Sequence, residues 1–255
     1  MNQPCTIKIL SYNIHKGFST YNRNYVLDRI RLAIKQVHAD VVFLQEVLGD
    51  HQRHSQRIPN WPDAPQFEYL ADSVWHHYAY GKNAVYDAGH HGNAILSKYP
   101  ISDWDNIDVS TNPLENRGLL HAVLAVPEFK MPLHVICLHL DLLERGRRLQ
   151  VGLLTERIRS VVPDSEPLII AGDFNDWRER ISDRMQRELN LQEAHFDLHD
   201  KHARTFPSWM PLLKLDRVYF RGFRAVDARV MKGEPWRQLS DHAAYFSELQ
   251  LVEDA

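Results

Sequence analysis

The sequence predicts an α/β fold whose two halves resemble each other. Apolar runs typical of β-strands alternate with segments that have the period of amphipathic helices along the 255 residues. A strand, a helix and a second strand follow one another from Ile7 to Glu46, and the same order recurs from Leu133 to Asp173. No Gly-rich or Ser-rich linker and no low-complexity tract divides the chain. We therefore expect a single domain over residues 1–255, with two α/β halves that face each other.

The elements follow from the spacing of apolar residues. Strands are predicted at 6–13, 40–47, 93–97, 119–126, 133–140, 167–173, 215–220 and 243–251. Helices are predicted at 24–37, 145–161 and 178–190. In the first helix Val26, Ile30 and Val37 lie on one face. The stretch 48–68 has few regular apolar repeats, and we expect a long loop there, which in compact domains is commonly functional.

Composition limits the class of protein. The formal net charge is −3, whereas tight nucleic-acid binders usually have a basic face, although a local basic cleft would not appear in this sum. Cys5 and Cys137 lie in apolar strands, which favours packing roles in a reducing compartment. No apolar run reaches about 18 residues, and the first residues lack the features of a secretory signal. We expect a cytoplasmic monomer without a transmembrane segment.

Six predicted strands have a polar side chain at one end of their apolar row. Residues two apart on a strand share a face, so each polar group continues the row that points into the core. In four strands the polar group follows the row, and in the two last strands it precedes the row. If the last two strands run antiparallel to the first four, all these groups meet at one rim. They are Asn13, Glu46, His139, Asp173, Asn175, Asp216, Asp241 and His242.

Each of these residues also has an ordinary structural interpretation. A single Asp or Asn at a strand end is usually a turn or cap residue, and a lone His beside apolar residues is usually structural. Six coincidences at one rim are better explained by a site. Converging carboxylates repel one another unless a cation or hydrogen bonds offset their charge. Carboxylate and amide oxygens without paired cysteines favour Mg²⁺ or Mn²⁺ over zinc.

Seven short motifs in a fixed order carry a family resemblance. They are Ser11–His15, Leu44–Glu46, Gly92–Ser97, Leu138–Leu140, Gly172–Asn175, Leu215–Val218 and Ser240–His242. Each is weak alone, but the ordered set resembles the endonuclease/exonuclease/phosphatase superfamily, which includes deoxyribonuclease I and neutral sphingomyelinases. The resemblance implies an α+β four-layer sandwich, in which two mixed β-sheets pack face to face with helices outside. It also implies Mg²⁺-dependent attack of water on a phosphoester, with Mn²⁺ as a possible substitute.

The resemblance also implies roles for individual residues. Glu46 resembles the principal metal ligand, with Asn13 beside it and Asp241 nearby. Contacts with substrate phosphate are expected for Asn13 and Asn93. Arg117 precedes a strand whose end should approach the same cleft, so a phosphate contact and a surface position are equally favoured for it.

The remaining motif residues resemble the catalytic groups. His242 resembles the catalytic histidine, paired with Asp216, and His139 resembles a second histidine that contacts the scissile phosphate. Asp173 and Asn175 match the pair that orients the nucleophilic water and binds a phosphate oxygen. The sequence leaves open which group accepts the proton.

Several other segments have two interpretations. The spacing of His195, His199 and His202 suggests zinc, but no fourth ligand is within sequence reach, which favours structural roles. His90 and His91 could line the cleft. The apolar segment Ser208–Leu213 could touch a membrane surface or form a buried connection, and the buried connection is favoured.

The substrate is the least determined feature. A phosphodiester is favoured over a phosphomonoester, and nucleic acid, either DNA or RNA, is narrowly favoured as its source. A phospholipid headgroup, as for sphingomyelinases, or a small phosphoester is the alternative. A non-catalytic phosphate-binding module is disfavoured because the motif residues are intact.

Overall fold

Two six-stranded mixed sheets form the framework of the computed structural model, which describes residues 5–72, 74–112 and 115–252. The other residues of the predicted domain lie outside the described part. The first sheet has the order β11 (Phe223–Val230), β12 (Tyr245–Leu251), β1 (Thr6–Asn13), β2 (Val41–His51), β4 (Gly89–Ser97) and β3 (His77–Tyr86). The second has the order β5 (Ile101–Asp108), β6 (Gly118–Leu124), β7 (Leu133–His139), β8 (Leu168–Asp173), β10 (Asp216–Arg221) and β9 (Gln192–Glu193).

Three apolar clusters define four layers. The helices are α1 (Leu27–Val37), α2 (Gln52–Arg57), α3 (Gln66–Ala71), α4 (Glu144–Val161), α5 (Ser182–Leu189) and α6 (Ala194–His199). One buried cluster, which includes Phe43 and Ile169, lies between the two sheets. A second joins the outer face of the first sheet to α1 and α3, and a third joins the outer face of the second sheet to α4 and α5. The predicted four-layer sandwich is confirmed.

Strand direction brings the polar strand ends together. β1 and β2 are parallel, as are β7 and β8, whereas β12 and β10 run antiparallel to β1 and β8. Asp173 lies opposite His139 on one side and opposite Asp216 on the other. This arrangement is the one that the polar strand ends predicted, with three of them side by side in the second sheet.

The prediction of a long loop at 48–68 is wrong in part. β2 continues to His51, and the short helices α2 and α3 occupy 52–57 and 66–71. Most side chains of α2 are exposed, so the helix has no apolar periodicity to reveal it. The third predicted helix is shorter than expected, because 178–181 form part of the loop before α5.

The sequence did not predict β3, β5, β9, β11 or α6. Three of these strands, β3, β5 and β11, are partly exposed edge strands, and only backbone pairing with a neighbour identifies them. None of the helices among the described residues has both the length and the apolar composition that crossing a bilayer requires.

Candidate active site

The carboxylate of Asp173, at the end of β8, is the centre of the polar rim. It is 1% exposed, and three side chains converge on its Oδ2 atom. Asn13 Nδ2 donates to it at 3.4 Å, His139 Nε2 lies at 3.4 Å, and His242 Nε2 lies at 3.6 Å. Because Asn13 and His242 come from the first sheet's side and His139 from the second, the site spans the top of the interface between the sheets.

The other oxygen of Asp173 is held by the turn that follows. The backbone N–H of Asn175 donates to Oδ1 at 2.9 Å, and the side-chain nitrogen of Asn175 donates to the carbonyl of Leu140 at 2.9 Å. Asn175 has φ of 50°, a left-handed conformation that Asn tolerates better than most residues. This turn fixes the direction of the Asp173 carboxylate.

Asp216 and His242 form a buried pair, which confirms the predicted hydrogen bond between them. His242 Nδ1 lies 3.0 Å from Asp216 Oδ2. The same Asp216 oxygen accepts a hydrogen bond from the Thr205 hydroxyl, and the Asp216 N–H donates back to that hydroxyl at 3.2 Å. The sequence did not predict Thr205 as part of the site. It lies eleven residues before Asp216 and outside the motifs, so only the fold shows that the two residues are in contact.

The charges of this buried group set its protonation. Burial by itself lowers the pKa of His242, but the charges of Asp216 and Asp173 outweigh it and raise that pKa to about 10. Burial and the negative charge of Asp216 raise the pKa of Asp173 to about 6, against the attraction of His242. Burial and the positive charge of Arg117 hold the pKa of His139 well below its usual value. A cationic His242 and a neutral His139 therefore flank one carboxylate.

Glu46 lies across Asn13 from Asp173. Asn13 Nδ2 donates to Glu46 Oε1 at 3.3 Å as well as to Asp173. Glu46 lies in a bulge of β2 between Leu44 and Val47, and its φ of 55° turns the side chain out of the regular alternation. Its carboxylate is partly exposed and accessible from the cleft.

Two basic residues, neither of which the sequence assigned a role, neutralise the remaining carboxylates. Lys16 Nζ lies 3.6 Å from Glu46 Oε2, and His15 Nδ1 lies 3.2 Å from Asp241 Oδ1. The contact with Asp241 raises the pKa of His15 despite partial burial. Both basic residues lie in a 3₁₀ turn directly after β1, where they take left-handed conformations. His15 is part of the first motif, which is the signal that could have identified it.

The donor chemistry at this end of the cleft fits a divalent metal. Glu46 and Asp241 supply carboxylate oxygens, the donors that Mg²⁺ prefers, and the charges of both act on His15. Asn13 presents its nitrogen to the carboxylates, while its Oδ1 accepts from the His15 N–H at 3.1 Å, so its amide would have to rotate to ligate. Among the described residues, potential ligand atoms lie within 4.8 Å of one another in Asp173, Asp216 and His242, but Asp216 and His242 are committed to each other.

Asn93 and Arg117 are placed differently from each other. Asn93 is buried, and its side-chain nitrogen donates to the carbonyls of Gly118 at 3.0 Å and Cys137 at 3.5 Å, which ties the two sheets together. A phosphate contact by this nitrogen would compete with those bonds.

Arg117 pairs with Glu115 at 3.4 Å, and its buried Nε has no hydrogen-bond partner within the part of the chain that the structure describes. Its charge acts on both His139 and Asp173. It is therefore positioned to face an anion in the cleft.

The histidine cluster at 195–202 and the cleft histidine His91 have different surroundings. His195, His199 and His202 each meet a different partner, namely the Lys201 carbonyl, the Ala228 carbonyl and the Glu193 carboxylate, which agrees with structural roles. His91 faces the cleft, where burial and the charge of Lys16 lower its pKa to about 4.

The segment expected to be a buried connection before Asp216 is exposed instead. Trp209, Met210 and Leu212 are 53%, 47% and 52% exposed. The loop that carries them is attached to the site, since the Ser208 N–H donates to the Asp241 carbonyl at 2.7 Å and Phe206 packs against the ring of His242.

Comparison with known proteins gives consistent results over the whole chain. Residues 10–242 match the model of the Endonuclease/Exonuclease/phosphatase family. The chain is 44% identical to the protein YbhP of Escherichia coli strain K12 over 249 residues, which is 98% of each chain.

Solved structures share the fold. An endonuclease/exonuclease/phosphatase from Beutenbergia cavernae superimposes with a TM-score of 0.76 at 18% identity, over 98% of this chain and 72% of that one. TDP2 of D. rerio in complex with a single-strand DNA product superimposes with a TM-score of 0.68 at 20% identity, over 96% and 98% of the two chains. At these identities the two structures bear on the fold alone.

Proposed function

The chain belongs to the endonuclease/exonuclease/phosphatase family, and we propose that it is a Mg²⁺-dependent phosphodiesterase that hydrolyses nucleic acid by attack of water. The observation that carries this proposal is the convergence of Asn13, His139 and His242 on one oxygen of Asp173. Acidic, cationic and neutral hydrogen-bonding groups thus meet at a single point, with Glu46 beside them. This combination supports phosphoester hydrolysis, which needs an aligned water and stabilisation of negative charge.

Asp173 is the proposed acceptor of the proton from the attacking water. The Asn175 N–H holds its Oδ1, which orients the carboxylate and leaves its Oδ2 at the meeting point of the three polar side chains described above. A pKa of about 6 leaves the carboxylate ionised at neutral pH yet basic enough to take up a proton.

His242 and His139 are the proposed phosphate contacts. The imidazolium of His242, held by Asp216, offers a positive N–H at its Nε2 to a phosphoryl oxygen. Neutral His139 offers a second hydrogen bond on the opposite side of Asp173, and Arg117 adds positive charge. A Mg²⁺ ion held by Glu46 and Asp241 would supply charge for a phosphoryl oxygen and for the leaving oxygen.

A diester substrate is proposed because the site has two histidines and one group of proposed metal ligands, which suits a poor alkoxide leaving group. Nucleic acid is proposed as its source, in line with the single-strand DNA product that TDP2 holds in its structure. A phospholipid headgroup is the second candidate, favoured by the exposed apolar side chains of Trp209, Met210 and Leu212 beside the site.

Hydrolysis of bis-nitrophenyl phosphate and nitrophenyl phosphate with Mg²⁺ tests the proposal. We expect faster turnover of the diester, nicking of plasmid DNA, and loss of both activities in Asp173→Asn. The matched control is Asp164→Asn, which changes an exposed carboxylate paired with Arg221 at the far end of β10. Faster turnover of the monoester, or an Asp173→Asn variant as active as the control, would contradict the proposal.

A further inference from the structure

A surface pocket of about 340 Å³ is lined by segments that hydrogen-bond to residues 240 and 241. Its walls are the segment 19–29 on one side and Trp209 with Arg237 and Gln238 on the other. Both walls are attached to the segment that carries Asp241 and His242. The Thr20 hydroxyl donates to the Ser240 carbonyl at 3.2 Å. The N–H of Ser208, directly before Trp209, donates to the Asp241 carbonyl at 2.7 Å. A ligand in this pocket would therefore be held by segments that are hydrogen-bonded to the residues carrying Asp241 and His242.

The pocket is positively charged. It is lined by Arg23, Arg29 and Arg237, and no carboxylate is among the lining residues that the structure describes. Arg29 donates to the neutral side chain of Gln238 at 3.2 Å, and the guanidinium of Arg23 lies 5.4 Å from the centre of the Tyr21 ring. Arg237 pairs with Glu234, but both side chains are more than half exposed, so solvent screens that pair. The pocket thus favours an anionic ligand.

Two aromatic rings stand at its edge in contact with solvent. Tyr21 is 72% exposed and Trp209 is 53% exposed. Tyr21 and Asn22 have φ of 64° and 54°, a left-handed conformation that a residue as bulky as Tyr rarely adopts. This backbone holds the Tyr21 ring away from the core. Exposed aromatic rings interleaved with arginines are the usual means of binding single-stranded nucleic acid, because bases stack on the rings while phosphates meet the cations.

We propose that this pocket binds a nucleotide next to the scissile phosphate of a single-stranded nucleic acid, with Arg23 and Arg29 on its phosphate and Tyr21 or Trp209 stacked on its base. The inference rests on the proposed function and names its substrate as a strand rather than a duplex, whose stacked bases could not reach the rings. The polar walls, which include Ser19, Thr20, Asn24 and Gln238, favour a nucleotide over an acyl chain.

A length series of oligonucleotides tests the pocket. The wild type should cleave an oligothymidylate of eight nucleotides with a higher kcat/KM than a dinucleotide, whereas the double variant Tyr21→Ala with Trp209→Ala should lose about ten-fold on the longer strand. All of these proteins should hydrolyse bis-nitrophenyl phosphate at the same rate, because that compound does not extend into the pocket. Arg23→Ala with Arg29→Ala should reduce the slope of log KM against log salt by about 0.7 for each phosphate group that the protein no longer neutralises.

Trp104→Ala is the matched control, since Trp104 is 50% exposed on the edge strand β5 of the other sheet. The melting temperature of every variant establishes that it folds. Anisotropy of the labelled strand with the wild type in chelator measures binding without turnover, so it tests the pocket even if the proposed function fails.

If the wild type binds strands of all lengths with equal affinity, or if the pocket variants bind as well as Trp104→Ala, the proposed role of the pocket is wrong. A wild type that binds strands in a length-dependent way but hydrolyses none of the substrates would instead overturn the proposed function alone. A third outcome is a wild type that binds no strand and hydrolyses phosphatidylcholine in vesicles, with a rate that falls in Trp209→Ala. That result would replace the nucleotide pocket by a surface that binds lipid.

Discussion

Acidification should destabilise the fold through His121, which is buried and is not one of the proposed catalytic groups. His121 on β6 is 4% exposed, and its Nε2 lies 2.9 Å from His134 Nδ1, while His134 Nε2 lies 2.6 Å from Glu166. Burial, and secondarily the charge of His134, lowers the pKa of His121 from 6.5 to about 4. Above pH 6.5 the side chain is neutral in the folded and unfolded chains. Below that value the unfolded chain takes up a proton that the folded chain excludes, so stability falls with pH.

The size of the effect follows from the difference between the two pKa values. At about 1.36 kcal/mol per pH unit, the contribution amounts to about 3 kcal/mol between pH 6.5 and 4, and to about 2 kcal/mol by pH 5. That is a large part of the 5–15 kcal/mol typical of a domain, roughly a fifth or more. Urea unfolding followed by tryptophan fluorescence, with chelator present, measures it at each pH.

His121→Gln keeps a polar group within reach of His134 but cannot take up a proton. The other titrating groups are the same in both proteins, so the difference between their pH profiles reports His121 together with its contact to His134. We expect the wild type to lose about 2 kcal/mol more than the variant between pH 7 and pH 5. Parallel pH profiles would refute the assignment of a depressed pKa to His121.

Two further predictions concern the buried pair. Asp216→Asn should lower kcat for a diester by about 10²–10⁴-fold without unfolding the chain, because His242 loses the carboxylate that keeps it cationic. Circular dichroism checks the fold. A near-normal kcat would show that the pair is not needed for catalysis. Thr205→Val should lower the free energy of unfolding by about 1.5–3 kcal/mol, because the Asp216 carboxylate loses its hydroxyl donor. Thr205→Ser should restore most of that stability in urea, and equal stability of all three proteins would show that the hydroxyl is dispensable.

The sequence predicted the central strands because an apolar run is a local property of the sequence. Every residue of β7 and β8 is buried, and the apolar rows lead directly to His139 and Asp173. Antiparallel pairing then placed Asp216 opposite Asp173. Local pattern and long-range pairing agree here, which is why the polar rim could be predicted.

Edge elements could not be predicted in the same way. Residues 102–105 of β5 are exposed on both faces, so the strand has no apolar alternation and depends on backbone bonds to β6. Thr205 and Lys16 reach the site through loop paths and left-handed turns, whose geometry depends on contacts distant in sequence. The exposure of Trp209 likewise depends on how its loop is attached to residues 240 and 241 rather than on its own composition.

Titration of Mg²⁺ against the initial rate of bis-nitrophenyl phosphate hydrolysis tests the central claim most directly. The wild type should be inactive in chelator and should saturate with Mg²⁺, whereas Glu46→Gln should need far more Mg²⁺ and turn over slowly at any concentration. Glu128→Gln, an exposed change in the turn between β6 and β7, should match the wild type. Turnover that is independent of Mg²⁺, or a Glu46→Gln curve that superimposes on that of the wild type, would contradict a metal-dependent phosphodiesterase centred on Glu46.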